Sequence, residues 1–367
     1  MDRSGNVFQM RSLGENACFA ASNSSHGFQS YYSDFFDRES IGRVYAIKGG
    51  PGTGKSRFMR EVAQSGAARG WTAEMIYCSS DADSLDGVIL TKNGVSLALL
   101  DATAPHVYEP TRPGFREEIV NLGEFWDAEA LRRQREEIEA LNEQKGNAYK
   151  RAYRYLSAYG DVSENRRALV APYLKEKAID RFAERLLQKI PNGEGFQFST
   201  ALMHSVGMQG AVGFDTYFAQ AKTILLIEDC RGGGERMMQA LYRAAAQKGL
   251  RVRVSRDPIL SDSVDGLFLC ESRWMISTCP SELCRFPHRT VSTRRFVDTG
   301  RMRSVRASVN FTERMRSALL SEAMLEMENV KRHHFRLEEI YAASMDFEAK
   351  ERFTKSFCNS LFGLQNE

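Results

Sequence analysis

The chain has 367 residues, of which 43% are hydrophobic and 26% are charged, a composition typical of soluble globular proteins. Its length exceeds what one small core accommodates, so we expect two domains. The formal net charge of +3 is nearly balanced and indicates no particular class of partner.

The sequence carries no signal for export or membrane insertion. No stretch approaches the ~20 apolar residues that a membrane-spanning helix needs, and the first residues lack the apolar segment of a signal peptide. The seven cysteines are scattered rather than spaced as a disulfide framework. Cys279, Cys284 and His288 lack a paired CxxC, so we do not interpret them as metal ligands. We therefore expect a cytoplasmic protein with free thiols and no contact with a membrane.

The first strong pattern is a predicted strand, loop and helix. Residues 43–47 form a short run of β-branched and aromatic residues, which predicts a buried strand. The sequence GGPGTGKS follows at residues 49–56 and satisfies the phosphate-loop pattern GxxxxGK[ST]. Apolar residues at helical spacing then predict a helix from residue 57 that stops near Gly70.

The residue types of this loop suit the binding of a nucleoside triphosphate. Its glycines allow positive φ angles and let backbone N–H groups approach phosphate oxygens, while the helix directs its positive end at the same anion. We expect Lys55 to reach the β- and γ-phosphates and Ser56 to bind Mg²⁺. The predicted nucleotide contacts are Gly49, Gly50, Pro51, Gly52, Thr53, Gly54, Lys55, Ser56 and Arg57.

An acidic loop follows the next predicted strand. Residues 71–78 predict that strand, and Asp81 and Asp83 come directly after it, where open α/β sheets bind ligands. These carboxylates and His106 are candidates for orienting a water molecule or a substrate hydroxyl. The alternatives are that the aspartates only solvate and cap the loop, and that His106 only follows Pro105 in a tight turn.

A second metal-binding carboxylate is predicted at Asp101. Asn93 and Gly94 separate two apolar runs, which indicates a hairpin, and the second run ends in Asp101. An apolar strand that ends in aspartate after a phosphate loop is typical of the carboxylate associated with Mg²⁺. Ala102 follows it, so no adjacent glutamate is available as a general base. Because no [NT]KxD guanine-reading motif follows, ATP is favoured over GTP.

Two regions predict helical arms. Residues 127–190 and 311–362 are rich in Glu, Lys, Arg, Ala and Leu, with apolar residues at helical spacing. A break near Tyr159 and Gly160 predicts that the first arm contains two or more helices. The arms are interpreted as helices that pack on the sheets, with a lid or a surface for a protein partner as the alternative.

The two halves of the chain resemble each other. Residues 223–227 resemble the first strand, and residues 229–236 align with the first loop at an offset of 180. This alignment puts Glu235 in place of Lys55 and Arg236 in place of Ser56, and it offers no carboxylate equivalent to Asp101. We predict two tandem P-loop NTPase-like domains of the α/β class, with mostly parallel sheets, helices on both faces and a degenerate second loop. The predicted domains are residues 1–190 and 191–367.

An arginine-rich stretch lies between the second predicted sheet and its arm. It contains Arg285, Arg289, Arg294, Arg295, Arg301, Arg303, Arg306, Arg314 and Arg316. Three interpretations stay open: a solvated surface, a patch for nucleic acid, and one arginine that reaches the γ-phosphate beside Lys55.

Four blocks, KGGPGTGKS, CSSDADSLDGV, LLDATAPH and NLGEFWD, resemble an uncharacterised bacterial family of tandem P-loop proteins, usually described only as ATPases or ATP-binding proteins. The resemblance covers nearly the full length and implies this fold and ATP binding, but no substrate. In that family the second half often carries its own phosphate loop, and residues 229–236 depart from it.

Together these patterns predict a slow, regulated ATPase in which one Mg²⁺–ATP site is paired with an inactive duplicate. Lys55, Asp101, Asp81 and Asp83 are its candidate catalytic residues, and Ser56 and Asp101 its candidate Mg²⁺ ligands. A kinase acting on a small molecule or a nucleotide is the main alternative. A nucleotide-gated module that binds nucleic acid is the other.

Overall fold

A computed structural model describes residues 8–14, 16–106 and 108–363. The strands of the first half are β1 (Phe8–Arg11), β2 (Asn16–Phe19), β3 (Ala21–Ser24), β4 (Gly27–Ser30), β5 (Ile41–Lys48), β6 (Thr72–Tyr77), β7 (Leu85–Lys92), β8 (Val95–Asp101) and β9 (Glu117–Asn121). Those of the second half are β10 (Gln197–Thr200), β11 (His204–Gly207), β12 (Gly210–Phe214), β13 (Thr223–Glu228), β14 (Arg251–Arg256), β15 (Val264–Leu269), β16 (Trp274–Ser277) and β17 (Arg289–Ser292). The helices are α1 (Tyr32–Phe36), α2 (Lys55–Ala67), α3 (Ala128–Arg133), α4 (Arg135–Val170), α5 (Glu176–Leu187), α6 (Thr216–Gln220), α7 (Gly233–Gln247), α8 (Arg306–Ala343) and α9 (Phe347–Gly363).

The first half is built on a six-stranded sheet in the order β2-β6-β7-β8-β5-β9. Its neighbouring strands are parallel except around β7, which is antiparallel to β6 and to β8. The central strands are continuous apolar runs because helices and loops cover both faces of the sheet. On one face α2 buries Phe58, Met59 and Val62 against these strands. The β7–β8 turn is the predicted hairpin, with Asn93 and Gly94 at φ 51° and 80°.

The second half contains a sheet with the same topology. Its order is β10-β14-β15-β16-β13-β17, and β15 is again the strand that runs antiparallel to both neighbours. The helix α7 follows β13 as α2 follows β5, and it buries Met237, Met238 and Leu241. The predicted α/β class is therefore confirmed, and the two halves have corresponding sheets.

The arms are two long helices that pack on each other. With 36 and 38 residues, α4 and α8 are about 54 and 57 Å long. Arg151 forms a two-pronged ion pair with Glu326 at 2.8 and 2.9 Å, and Arg336 pairs with Glu137 at 2.8 Å. Residue numbers rise along one helix as they fall along the other, so the two helices are antiparallel. Among the described residues, no helix is long and apolar enough to cross a bilayer.

The helix that follows each arm packs on the opposite half. After α4, the helix α5 packs on α7 and places Ile179, Ala183 and Leu187 in the apolar core beside the second sheet. After α8, the helix α9 packs on α2, and its Phe362 contacts Trp71, which follows α2 in the chain. The packing therefore crosses the predicted boundary at residue 190, because each arm carries the chain from one sheet to the other.

The predicted break near Tyr159 and Gly160 is wrong, since α4 is continuous from Arg135 to Val170. Gly160 instead serves close packing. A Cβ atom at this position would lie 2.7 Å from Cβ of Ser25, which is too close for two carbon atoms. The glycine lets the helix approach the turn between β3 and β4.

Overpacking at Gly160→Ala costs about 1–3 kcal/mol, and the preference of alanine for a helix offsets about 1 kcal/mol of that cost. We therefore expect the free energy of unfolding to fall by up to about 2 kcal/mol. Gly146→Ala is the matched control in the same helix, because its Cβ meets nothing within 4 Å. That variant should be more stable than the wild type. Denaturant unfolding measures both, and equal stabilisation by the two changes would contradict the packing role of Gly160.

Candidate nucleotide-binding site

The first loop (residues 49–56) connects the end of β5 to the start of α2, as the sequence predicts. Gly52 and Gly54 have φ angles of 70° and 81°, which side chains with a Cβ rarely adopt. The helix begins at Lys55, so its unpaired N–H groups and the positive end of its dipole lie at the loop. This arrangement favours binding of an anion.

Lys55 lies across the first loop. Its Nζ donates hydrogen bonds to the carbonyl oxygens of Gly49 and Gly50 at 2.9 and 2.8 Å. The same Nζ lies 3.5 Å from Oδ2 of Asp101 at the end of β8. Lys55 and Asp101 are 46 positions apart in the chain (101 − 55), and the sequence predicts that they share one site. The structure brings their side chains into direct contact.

Ser56 and Asp101 provide the oxygen atoms predicted to bind Mg²⁺. Asp101 Oδ1 accepts a hydrogen bond from Thr103 N at 2.8 Å, and Ser56 Oγ accepts one from Leu85 N at 3.0 Å. Burial raises the pKa of Asp101, and the charge of Lys55 partly opposes that shift. A hydroxyl and a carboxylate are ligands that suit a hard cation, so these residues fit the predicted ion.

A cavity of about 720 Å³ lies over the first loop, within the usual size range of ligand pockets. Its walls include residues 50–57, Asp81 and Asp101. Arg60, Cys78, Ser84, Leu85 and Asp86 also line it. Another part of the wall comes from the end of α8 and the start of α9, through residues that the sequence did not single out: His334, Phe335, Glu338, Glu339, Ala342 and Phe347. As charged or apolar helix positions, they carry no pattern that distinguishes them from ordinary arm residues.

The end of α8 contacts the backbone of the first loop. A Cβ at Gly50 would lie 2.8 Å from the ring of Tyr341. A Cβ at Gly52 would lie 2.9 Å from Cα of Glu338, and closer still to the carbonyl oxygen of that residue. The loop and α8 therefore fit together only because these two positions are glycine.

A second cavity, of about 490 Å³, adjoins the first. Both cavities are lined by Pro51, Lys55, Cys78, Asp81, Asp86, Asp101 and His334. The second cavity adds the aromatic rings of Phe28, Tyr149 and Tyr153 and the amine of Lys145. It is large enough for a small molecule beside the position predicted for the γ-phosphate.

The two aspartates of the acidic loop differ in position. Asp81 is buried, lines both cavities, and accepts hydrogen bonds from Ser84 Oγ at 2.6 Å and from the Gln209 amide. Asp83 is exposed, pairs with Arg11 at 2.7 Å, and lines neither cavity. Asp81 is thus the better placed of the two to act on a ligand.

His106 lies inside the protein beside the second cavity. Its ring stacks on Tyr32 with centroids 4.6 Å apart, and its Nε2 lies 3.1 Å from Oδ2 of Asp86. Burial by itself lowers the pKa of His106, but the Asp86 carboxylate outweighs burial, so the pKa is raised. A histidine that only follows Pro105 in a tight turn would not need a buried carboxylate as its partner, so this interpretation does not account for the contact with Asp86.

The second loop (residues 229–236) is filled by its own side chains. Asp229 accepts hydrogen bonds from the backbone N–H groups of Gly234 at 2.6 Å and of Gly232 at 3.0 Å. These are the loop donors that an anion would need. Glu235, aligned with Lys55, pairs with Arg167 of α4 at 2.6 Å. The Asp229 carboxylate thus binds the N–H groups that an anion would bind, and Glu235 stands where the first loop has Lys55.

The arginine-rich stretch is spread over several elements. Eight of its nine arginines are exposed, and Arg316 is half-buried beside Glu313 and Tyr159. Arg285 pairs with Asp215, and Arg295 lies 4.5 Å from the ring centroid of Phe182. None of the nine lines either cavity, so the structure offers no arginine from this stretch to the first loop.

Comparisons with family models, with curated proteins and with solved structures find no match for this chain.

Proposed function

We propose that this chain binds one Mg²⁺–ATP at the first loop and hydrolyses it slowly, and that the bound nucleotide changes how the arms pack. The observation that carries the proposal is the convergence of the first loop, Lys55, Ser56 and Asp101 on one cavity. These groups supply backbone donors, a cation and two oxygen ligands, which is the set that a Mg²⁺–triphosphate needs.

The contact between the first loop and α8 supports coupling to the arms. Glu338 and Glu339 line the cavity in which the phosphates would be bound. Their negative charges oppose a triphosphate, so binding favours an arrangement in which the end of α8 moves away from the loop. Because α8 packs along α4, such a movement changes the contacts between both arms.

The state of the second loop supports a single nucleotide per chain. The N–H donors that would hold phosphates are satisfied by Asp229, and Glu235 adds a charge of the same sign as phosphate. The second half then serves the first site through α8 and α9, which supply part of its wall.

Asp101→Asn tests the proposed metal site. Asparagine keeps the shape of the side chain but removes its charge. We therefore expect the factor by which Mg²⁺ raises ATP affinity to be about tenfold smaller than in the wild type. Calorimetric titration with ATP, with and without Mg²⁺, measures this difference, and phosphate release measures turnover. An unchanged Mg²⁺ dependence would exclude Asp101 as a ligand or as a partner of a bound water.

Phosphoryl transfer to a second substrate is the alternative, and the second cavity favours it. That cavity shares Lys55, Asp81 and Asp101 with the first, so a molecule bound there would lie next to the transferred phosphate. A kinase consumes ATP only when an acceptor is present, whereas a slow ATPase shows basal turnover without one. Phosphate release measured without any acceptor separates the two functions.

A further inference from the structure

Three potential metal ligands of different chemistry meet beside the first loop. Cys78 follows β6, Asp86 lies on β7, and His106 lies in the turn after β8. One ligand atom from each lies within 4.8 Å of the other two. Among the described residues this is the group close enough to hold a metal ion, and it does not include Cys279, Cys284 or His288.

Two polar atoms of this group are buried without a hydrogen-bond partner. They are Nδ1 of His106 and Oδ2 of Asp86, on side chains that are 6% and 5% exposed, and the neighbour established for this Oδ2 is the charged partner His106 Nε2 at 3.1 Å. A buried polar atom without a partner destabilises the folded state, so most native structures satisfy such atoms with protein, water or an ion. A metal ion among these side chains would satisfy Asp86 directly and fix the orientation of the imidazole.

The spacing also suits coordination. Ligand bonds of about 2.0–2.3 Å place neighbouring ligands of a tetrahedral Zn²⁺ roughly 3.3–3.6 Å apart. Asp86 Oδ2 and His106 Nε2 already lie 3.1 Å apart, and the limit of 4.8 Å for the whole group requires only small side-chain movements. A thiolate and an imidazole favour Zn²⁺ and related ions, whereas Ser56 and Asp101 offer the oxygen ligands that Mg²⁺ prefers.

We propose that Cys78, Asp86 and His106 form a site for a divalent transition-metal ion, best matched by Zn²⁺, distinct from the proposed Mg²⁺ site. All three residues line the second cavity, and three protein ligands leave the fourth position of a tetrahedral ion open. The open position accepts a water molecule or an oxygen of a small ligand in that cavity. Binding converts the Cys78 thiol to a thiolate and releases its proton to solvent, and His106 gives up a further proton wherever its imidazole is protonated.

The second half supplies an internal comparison. Residues 84–87 (SLDG) resemble residues 263–266 (SVDG) at an offset of 179, which aligns Asp265 with Asp86. Asp265 is buried, and its Oδ2 lies 2.7 Å from Nδ1 of His204. The position aligned with Cys78 is Asp257 (78 + 179), so no thiol accompanies this carboxylate and imidazole. A buried aspartate–histidine pair therefore occurs in both halves, and the cysteine distinguishes the proposed site.

The full-length protein is first stripped of metal with a chelator and dialysed. It is then titrated with Zn²⁺ in competition with a chromophoric chelator, which gives the stoichiometry and affinity, and in a separate experiment with Co²⁺, which gives the absorption spectrum. We expect one tightly bound equivalent per chain and a near-ultraviolet Co²⁺–thiolate absorption band. Cys78→Ser should abolish that band, and Asp86→Asn and His106→Gln should each weaken Zn²⁺ binding by about tenfold or more.

His204→Gln and Cys284→Ser are the matched controls, and both should leave the stoichiometry and the band unchanged. Zn²⁺ bound equally well by Cys78→Ser, or a band that is lost in Cys284→Ser, overturns the proposal. Binding of no Zn²⁺ overturns it as well and leaves Asp86 and His106 as an ion pair. Because neither readout uses ATP, Lys55→Ala should retain the metal, and the proposal stands or fails independently of nucleotide binding.

Discussion

Replacing Lys55 with alanine is expected to weaken ATP binding by about 10- to 100-fold. A hydrogen bond to a charged group contributes about 1.5–3 kcal/mol, and each 1.4 kcal/mol corresponds to a tenfold change in affinity. Lys55 Nζ lies at the cavity, where phosphate oxygens would replace the carbonyl oxygens of Gly49 and Gly50 as its hydrogen-bond acceptors. Titration with a fluorescent ATP analogue in the presence of Mg²⁺ measures the loss.

Glu235→Ala is the matched control at the aligned position of the second loop. Because Asp229 still occupies the loop N–H groups, this variant should bind one ATP per chain with wild-type affinity. GTP analogues titrated in parallel test the preference for ATP. Two nucleotides bound per chain, or full binding by Lys55→Ala, would show that the first loop is not the single nucleotide site.

The local parts of this site could be predicted from the sequence. A phosphate-loop pattern depends on residues that are contiguous in the chain, so the strand, the loop and the start of α2 follow from neighbouring residues. Asp101 could be predicted because a parallel strand ends beside the loop, and the structure places its carboxylate next to Lys55. The topology of the second sheet follows for the same reason, since similar patterns recur in the same order.

The crossing of the arms could not be predicted in this way. An amphipathic pattern shows that one face of a helix is buried, but it does not identify the surface that covers it. The destination of α5 depends on the length of α4, which extends about 54 Å from the first sheet as one continuous helix. With a break predicted near Tyr159 and Gly160, a helix of this length was not expected.

The residues of α8 at the first loop were missed for a related reason. Glu338 and Tyr341 occupy positions that look like solvated or packing positions of a long helix, 286 and 291 residues from Gly52 and Gly50 (338 − 52 and 341 − 50). Only the fold brings them to the loop. The second half therefore contributes to the cavity over the first loop, because its arm supplies part of the wall.

Gly52→Ala is expected to detach the end of α8 from the first loop. The φ angle of 70° strains alanine by about 1–2 kcal/mol. In addition, the new Cβ would overlap backbone atoms of Glu338, which cannot rotate away as a side chain would. We expect amide hydrogen exchange near residues 335–343 to accelerate by about tenfold or more and the free energy of unfolding to fall by about 2–4 kcal/mol.

Gly94→Ala separates backbone strain from the clash. Gly94 has a φ angle of 80°, yet a Cβ there meets nothing within 4 Å, so this variant carries the strain alone. It should lose about 1–2 kcal/mol of stability and leave hydrogen exchange in α8 unchanged. If Gly52→Ala behaves in the same way, α8 does not depend on the first loop for its position. If only Gly52→Ala releases α8, then any ligand that rearranges the loop acts on the arms through this contact.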